Sequence, residues 1–304
     1  MKITLHIALL FSLLLSGCSS LRAAAGDGTS RETPTATQAP TETATATLAP
    51  TATNVPTATL TPLPTSTFTP TPTPTWAVHP PDNITAPILL YHHVNDDDTP
   101  NRYVISTATF TKQMQALRDW GYTPIAISAL VEVLLHGGPL PARPAVITFD
   151  DGNVDIYQNA FPIMRRFGYP GTFFIVGNRV GSDGFVSADQ LKEMAAAGWE
   201  IGSHGWSHID VTLDKEVLNK EVAQSRLILE DKLGVPVKVF AYPFGTTNPE
   251  VSQKVQDYGY SAAVGLGTLN KETWGLLYYL SRQEVRRDYT MEAFGKLLPW
   301  QGAP

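Results

Sequence analysis

The sequence predicts an α/β fold on a parallel sheet, closed or nearly closed into a barrel. Three observations carry this expectation. Short apolar runs alternate with longer amphipathic stretches through residues 82–304. Several of the amphipathic stretches stop at a glycine. The residues best suited to chemistry follow directly after apolar runs, and strand ends are where such folds place their sites. A doubly wound open sheet is the alternative architecture.

The apolar runs read as strands over 87–94, 122–127, 145–149, 171–176, 199–203, 237–242 and 260–266. Residues 107–120 read as a helix that puts Phe110, Met114 and Leu117 on one face. Residues 154–167 and 188–197 read as helices stopped by Gly168 and Gly198. Asp214 is the expected N-cap of a long helix running to Leu233, and Asn248 of a further helix to Tyr258.

The chain has 304 residues, one Cys and 24 Pro, with 22 Lys+Arg against 28 Asp+Glu for a formal net charge of −6. The single Cys excludes an internal disulfide and a Cys-based zinc site. The acidic balance argues against a nucleic-acid partner. Charges cancel within residues 1–81, so the −6 rests on 82–304, a length suited to one α/β domain.

Residues 1–17 read as a signal peptide: Lys2 precedes an apolar stretch from Ile7 to Leu15. The stretch ends Leu15-Ser16-Gly17-Cys18, which resembles the lipobox of bacterial lipoproteins. That resemblance implies lipidation of Cys18 and a membrane anchor on the extracytoplasmic side. Residues 18–81 read as a spacer, since Thr, Pro and Ala fill most of 29–75 with no apolar period. Such a segment buries too little to offset its chain entropy and is stiffened toward extended structure. Its Thr side chains are possible O-glycan carriers or simply an unmodified tether.

In the domain, the run 145–149 leads directly into Asp150-Asp151-Gly152. A cation relieves the repulsion of adjacent carboxylates and leaves one of them free to take a proton; a plain polar turn is the blander reading. The run 199–203 leads into His204-Gly205-Trp206-Ser207-His208, with imidazoles at i and i+4. Isolated, that pair also suits two surface histidines. Together, one Asp and two His at neighbouring strand ends form the three-ligand set of an open metal site. The first run ends Tyr91-His92-His93, and an imidazole there suits an acid or base near neutral pH. If the strand continues through this pair, only one of the two faces the barrel mouth. The run 237–242 ends Tyr242-Pro243-Phe244-Gly245, a rigid turn that presents backbone N–H groups.

Thr148-Phe149-Asp150-Asp151-Gly152 followed by Ser203-His204-x3-His208 resembles the polysaccharide deacetylase family, carbohydrate esterase family 4 with its NodB homology domain. The resemblance covers roughly residues 86–298. Pro87–Val94 looks like the branch in which a His motif stands at the N-terminus, which includes deacetylases of poly-N-acetylglucosamine. It implies a distorted (β/α)7 barrel and metal-dependent removal of acetyl groups from an acetylated polysaccharide. By position it makes Asp150 the catalytic base, His92 the general acid, and Asp151, His204 and His208 the ligands of a divalent transition metal. Zn2+ suits two His and one Asp best. Phe244, with Tyr242 beside it, is placed at the oxyanion and substrate wall.

Three positions depart from that pattern. Ala241 stands where many relatives carry the Arg that orients the catalytic Asp, which leaves Asp150 without an identified partner. Gly205 replaces the usual Ser or Thr after the first metal His, removing a hydroxyl and loosening the expected loop. No Asp-x-x-Asp-Trp segment is found, so substrate grooves do not follow by analogy. An O-acetyl esterase uses the same residues and is the alternative enzyme. A catalytically inert sugar-binding module is the non-enzymatic one, disfavoured because a pure binder needs no base beside the metal.

Overall fold

The computed structural model describes residues 75–302, which lie within one compact unit, Thr67–Pro304. The signal peptide, Cys18 and nearly all of the spacer lie outside the described residues.

Eight strands form the central sheet: β1 (Ile88–Tyr91), β2 (Thr123–Ile125), β3 (Pro144–Phe149), β4 (Thr172–Ile175), β5 (Glu200–Ser203), β6 (Val239–Ala241), β7 (Ala262–Val264) and β8 (Arg282–Glu284). The order is β7-β6-β5-β4-β3-β1-β8, with β2 paired to the start of β3, and every pairing is parallel. A parallel bridge from Val264 to Leu280, with Gly267 N–H donating to Arg282 C=O at 2.9 Å, joins β7 to the approach of β8. The result is a nearly closed seven-stranded barrel with helices, the distorted (β/α)7 form expected. β3 pairs with β1, β2 and β4 and is buried along its whole length, as a parallel strand covered on both faces must be.

Among the described residues, seven α-helices accompany the sheet: α1 (Thr107–Asp119), α2 (Ile127–His136), α3 (Phe161–Phe167), α4 (Ala188–Ala196), α5 (Ser225–Leu233), α6 (Pro249–Asp257) and α7 (Met291–Gly295). Local chemistry sets their starts. Ser106 accepts from Thr109 N–H to open α1, Ser187 and Gln190 form a reciprocal capping box at α4, and Asn248 accepts from Val251 N–H ahead of Pro249 at α6. Phe110, Met114 and Leu117 are buried as expected.

Several boundaries differ from the sequence expectation. The seventh barrel strand is β8, whose residues Arg282-Gln283-Glu284 carry no apolar signal, while residues 122–127 supply only the off-path β2. Ile127 opens α2, a helix the periodicity did not reveal. The expected long helix from Asp214 is a 3-10 turn at Lys215–Val217, a π-helical turn at Asn219–Gln224 and then α5. A second π-helical turn, Ile156–Ala160, precedes α3. There Pro162 has no N–H to return to the preceding turn, which an i→i−4 ladder would require. Trp76–His79 pairs antiparallel with Gly138–Pro141, so backbone pairing begins six residues before the expected domain start at 82.

Candidate active site

A cavity of about 400 Å3 opens at the carboxyl ends of the barrel strands. Asp150, Asp151, His92, His204, His208 and Phe244 all line it. The topology explains the convergence. Asp150 directly follows β3, His204 follows β5 and His92 follows β1, and in a parallel barrel those ends share one face.

Asp151, His204 and His208 each offer one donor atom, and these atoms lie within 4.8 Å of one another. His208 Nε2 is 3.3 Å and His204 Nε2 3.9 Å from Asp151 Oδ1. His204 Nδ1 donates to the Ala241 carbonyl at 2.8 Å, which fixes the tautomer and turns the Nε2 lone pair toward Asp151. Asp151 Oδ1 is buried with no hydrogen-bond partner, although Arg179 stands 3.7 Å away. A buried carboxylate oxygen left unpaired between two imidazole nitrogens is an acceptor set awaiting a cation. The donors present therefore fit a divalent transition metal.

The backbone is strained at the same place. Four non-glycine residues among those described have positive φ, and three line this cavity: Asp151 (74°), His208 (60°) and Phe244 (60°). Such conformations persist only where the surroundings over-determine them, and they concentrate at functional sites.

Asp150 is buried and held by Arg282, whose Nη1 and Nη2 donate to Oδ1 and Oδ2 at 2.6 and 2.8 Å. The partner missing at Ala241 thus arrives from β8. Burial by itself pushes the Asp150 carboxyl up. The charges of Arg282 and His204 and the Arg282 hydrogen bonds outweigh it and bring the group to about 2. Asp150 is ionised throughout the neutral range, next to His204 Nε2 at 3.6 Å.

Gly205 leaves the His204–His208 loop firm rather than loose. Its φ is +80°, and a Cβ there would lie 3.1 Å from Glu221 Oε2. That buried carboxylate accepts from the N–H groups of Trp206 and Ser207 at 2.9 Å each, and from the Ser207 hydroxyl at 2.6 Å. Glu221, aimed inward by the π-helical turn, pins the loop from inside.

The two adjacent imidazoles behave differently. The strand run breaks at His92: β1 ends at Tyr91, and His93–Val94 pairs instead with Val104–Ile105. Strict alternation therefore does not apply, and both His92 and His93 line the cavity. His92 packs against Tyr103 with ring centroids 4.5 Å apart, and its Nδ1 is buried without a partner. Burial lowers its pKa, and Asp150 and Asp151 push the other way without cancelling that. His93 Nδ1 lies 3.0 Å from Asp155 Oδ2, and that hydrogen bond raises its pKa. Tyr242 also lines the cavity, and its hydroxyl is engaged elsewhere, donating to the Tyr278 carbonyl at 2.9 Å.

Arg282 and Glu221 were not visible in the sequence. Arg282 sits in a polar stretch with no period, and Glu221 is one acid among several in a helical segment.

Residues 137–263 match the polysaccharide deacetylase family. This chain is similar in sequence to polysaccharide deacetylases. YxkH of Bacillus subtilis (strain 168), named as a presumed polysaccharide deacetylase, is 28% identical over 212 residues, 69% of this chain and 74% of that protein. The poly-beta-1,6-N-acetyl-D-glucosamine N-deacetylase of Staphylococcus aureus (strain MRSA252) is 28% identical over 222 residues, 66% of this chain and 73% of that enzyme. The structure of IcaB from Ammonifex degensii superposes with a TM-score of 0.60 at 25% identity, covering 72% of this chain and 96% of that one. The deacetylase match contains Asp150, Asp151, His204, His208 and Phe244, while His92 and Arg282 fall outside it.

Proposed function

We propose that this protein is a metal-dependent hydrolase that removes N-acetyl groups from a cell-surface or cell-wall polysaccharide. The observation that carries the reading is a buried carboxylate, Asp150, clamped by Arg282 next to the three-donor set of Asp151, His204 and His208. A sugar-binding module has no use for a clamped base beside a metal site. The Staphylococcus aureus relative supports a poly-N-acetylglucosamine-like substrate, with peptidoglycan and chitin-like polymers as the other candidates.

Asp151, His204 and His208 would hold the ion, with Zn2+ the best match to two nitrogens and one oxygen. When bound, such an ion polarises a carbonyl and acidifies water. Asp150 accepts the proton from the attacking water, with Arg282 keeping both carboxylate oxygens oriented. The Phe244 N–H faces the oxygen on which negative charge develops. The proton that Asp150 takes from the water goes on to the departing amine nitrogen with His92 as its donor: the imidazole receives the proton as the carboxylate is freed and gives it up as the C–N bond breaks, so both side chains return to their starting states. Acetate and an amino sugar are the products.

The deciding experiment is acetate release from poly-N-acetylglucosamine, peptidoglycan, chitin oligomers and acetylated xylan. Release from one of the first three supports the reading. Release from xylan alone makes the protein an O-acetyl esterase, and release from none makes it a binding module.

We propose further that the N-terminus holds this activity at the bacterial surface, a reading supported by the Leu15-Ser16-Gly17-Cys18 stretch. Lipidated Cys18 anchors the chain to the membrane, and the Thr/Pro-rich spacer carries the domain outward. Cys18→Ser should move the protein to the soluble fraction; retention in membranes after a high-salt wash would refute the anchor.

A further inference from the structure

The catalytic cavity does not end at the metal-binding set. Arg102, Leu266, Arg282 and Glu284 border both it and a second cavity of about 210 Å3, so the two are neighbours across a shared wall. Arg102 and Arg286 then border a wider opening of about 650 Å3. The three cavities therefore follow one another outward from Asp150, with Arg102 in the wall of each. A polymer bound for hydrolysis needs room for the sugars beside the reacting one, and the neighbouring cavities are where that room lies.

The charge along these cavities is uneven. The Arg282 charge is taken up by Asp150. Glu284 accepts from Arg286 Nε at 2.8 Å and stands 3.7 Å from Arg102 Nη2. Two guanidinium groups thus share one carboxylate, and the wall of the second cavity carries one excess positive charge. Arg102 is half exposed and lies 4.6 Å above the Tyr103 ring, the same ring that packs on His92. At the outer mouth Arg287 is already engaged, donating to the carbonyls of Asp97 and Thr99 and facing Asp98 at 3.9 Å; Asp288 borders the same mouth.

We propose that the second cavity is a subsite for the sugar next to the one being deacetylated, and that Arg102 and Arg286 make it select an uncharged N-acetylated sugar over a cationic amino sugar. The proposal rests on the deacetylase reading. Guanidinium groups donate well to hydroxyl and acetyl oxygens, whereas the ammonium of glucosamine meets like charge there. The product of one turnover is then a poor neighbour for the next, and acetyl groups are removed at intervals along the chain rather than consecutively.

The test uses the metal-loaded protein and three N-acetylglucosamine trimers: one fully acetylated, and two with a single glucosamine flanking the central acetylated sugar on either side. For the wild type, kcat/KM for central acetate release should be about fivefold lower with one of the two flanked trimers than with the fully acetylated one. Arg102→Gln and Arg286→Gln should each narrow that ratio, and added salt should narrow it in the wild type. Equal rates on all three trimers, or a ratio unchanged in both variants, overturns the subsite while leaving the deacetylase reading in place. Absence of acetate release from every trimer and every polymer overturns both.

Discussion

Arg282 and Asp150 are separated by 132 positions in the chain, yet form a two-pronged ion pair at 2.6 and 2.8 Å in the barrel interior. Both side chains are almost fully buried. Loss of one partner leaves the other charge uncompensated, so Arg282→Ala should cost about 3–5 kcal/mol of stability, read from denaturant unfolding. Arg282→Lys keeps the charge but loses the fork, and should lower kcat more than it lowers the melting temperature. An unchanged kcat in Arg282→Lys would show that the clamp does not orient the base.

The same pair has a defined pH signature. The Asp150 carboxyl is held at about 2 in the folded protein. Its contribution to stability is fully present above the ordinary carboxylate range and is lost as pH falls toward 2. The stability difference between wild type and Arg282→Ala should be flat from pH 6 to 8 and shrink below pH 4, as followed by urea unfolding at each pH.

The adjacent acids should divide the labour. Asp151→Asn, His204→Ala and His208→Ala each remove a donor and should lower the metal content of purified protein, measured by elemental analysis. Asp150→Asn should retain the metal and lose about 10²–10⁴-fold in kcat. Metal loss in Asp150→Asn with normal content in Asp151→Asn would reverse the two roles.

Glu221 should act on metal binding through the loop it pins. Glu221→Gln keeps the shape but weakens the charge-assisted bonds to the Trp206 and Ser207 N–H groups. Metal affinity should fall about 10–100-fold, measured by competition with a chromogenic chelator. Gly205→Ala should act in the same direction, because the +80° backbone and the 3.1 Å approach to Glu221 both resist a Cβ. Full affinity in both variants would mean that the loop is set elsewhere.

His93 and Asp155 should give the opposite pH signature from Arg282 and Asp150. The His93 pKa is raised in the folded protein, chiefly by the Asp155 hydrogen bond. Its stabilising effect is fully present below the ordinary imidazole value and fades as pH rises through the folded one. Asp155→Asn should therefore lower the melting temperature more at pH 6 than at pH 8.5. An equal drop at both values would show that the pair is bonded without charge.

Much of the site was legible in the sequence because its chemistry is local. Asp150-Asp151-Gly152 and His204-x3-His208 announce donors at fixed short spacing, and an apolar run before each announces a strand end. The barrel itself followed from the alternation of such runs with glycine-stopped amphipathic stretches, and the expected cap at Asn248 acts within three residues. These are properties of neighbouring residues, and neighbouring residues are what a sequence displays.

Tertiary structure decided what depended on distant segments meeting. β8 is polar and short, and becomes a barrel strand only because β1 and the approach from β7 pair with it. Arg282 is unremarkable in sequence, and its role appears only when β8 sets it against the end of β3. Glu221 reaches the His204–His208 loop through a π-helical turn that no periodicity marks. The separation of His92 from His93 likewise rests on where β1 breaks and on Asp155 reaching His93 from the start of another helix. The sequence alone determined which donors were present and that they lay at strand ends; packing decided which carboxylate was clamped, which loop was rigid and which imidazole gained a partner, because burial and charge pairing arise only between parts of the chain brought together.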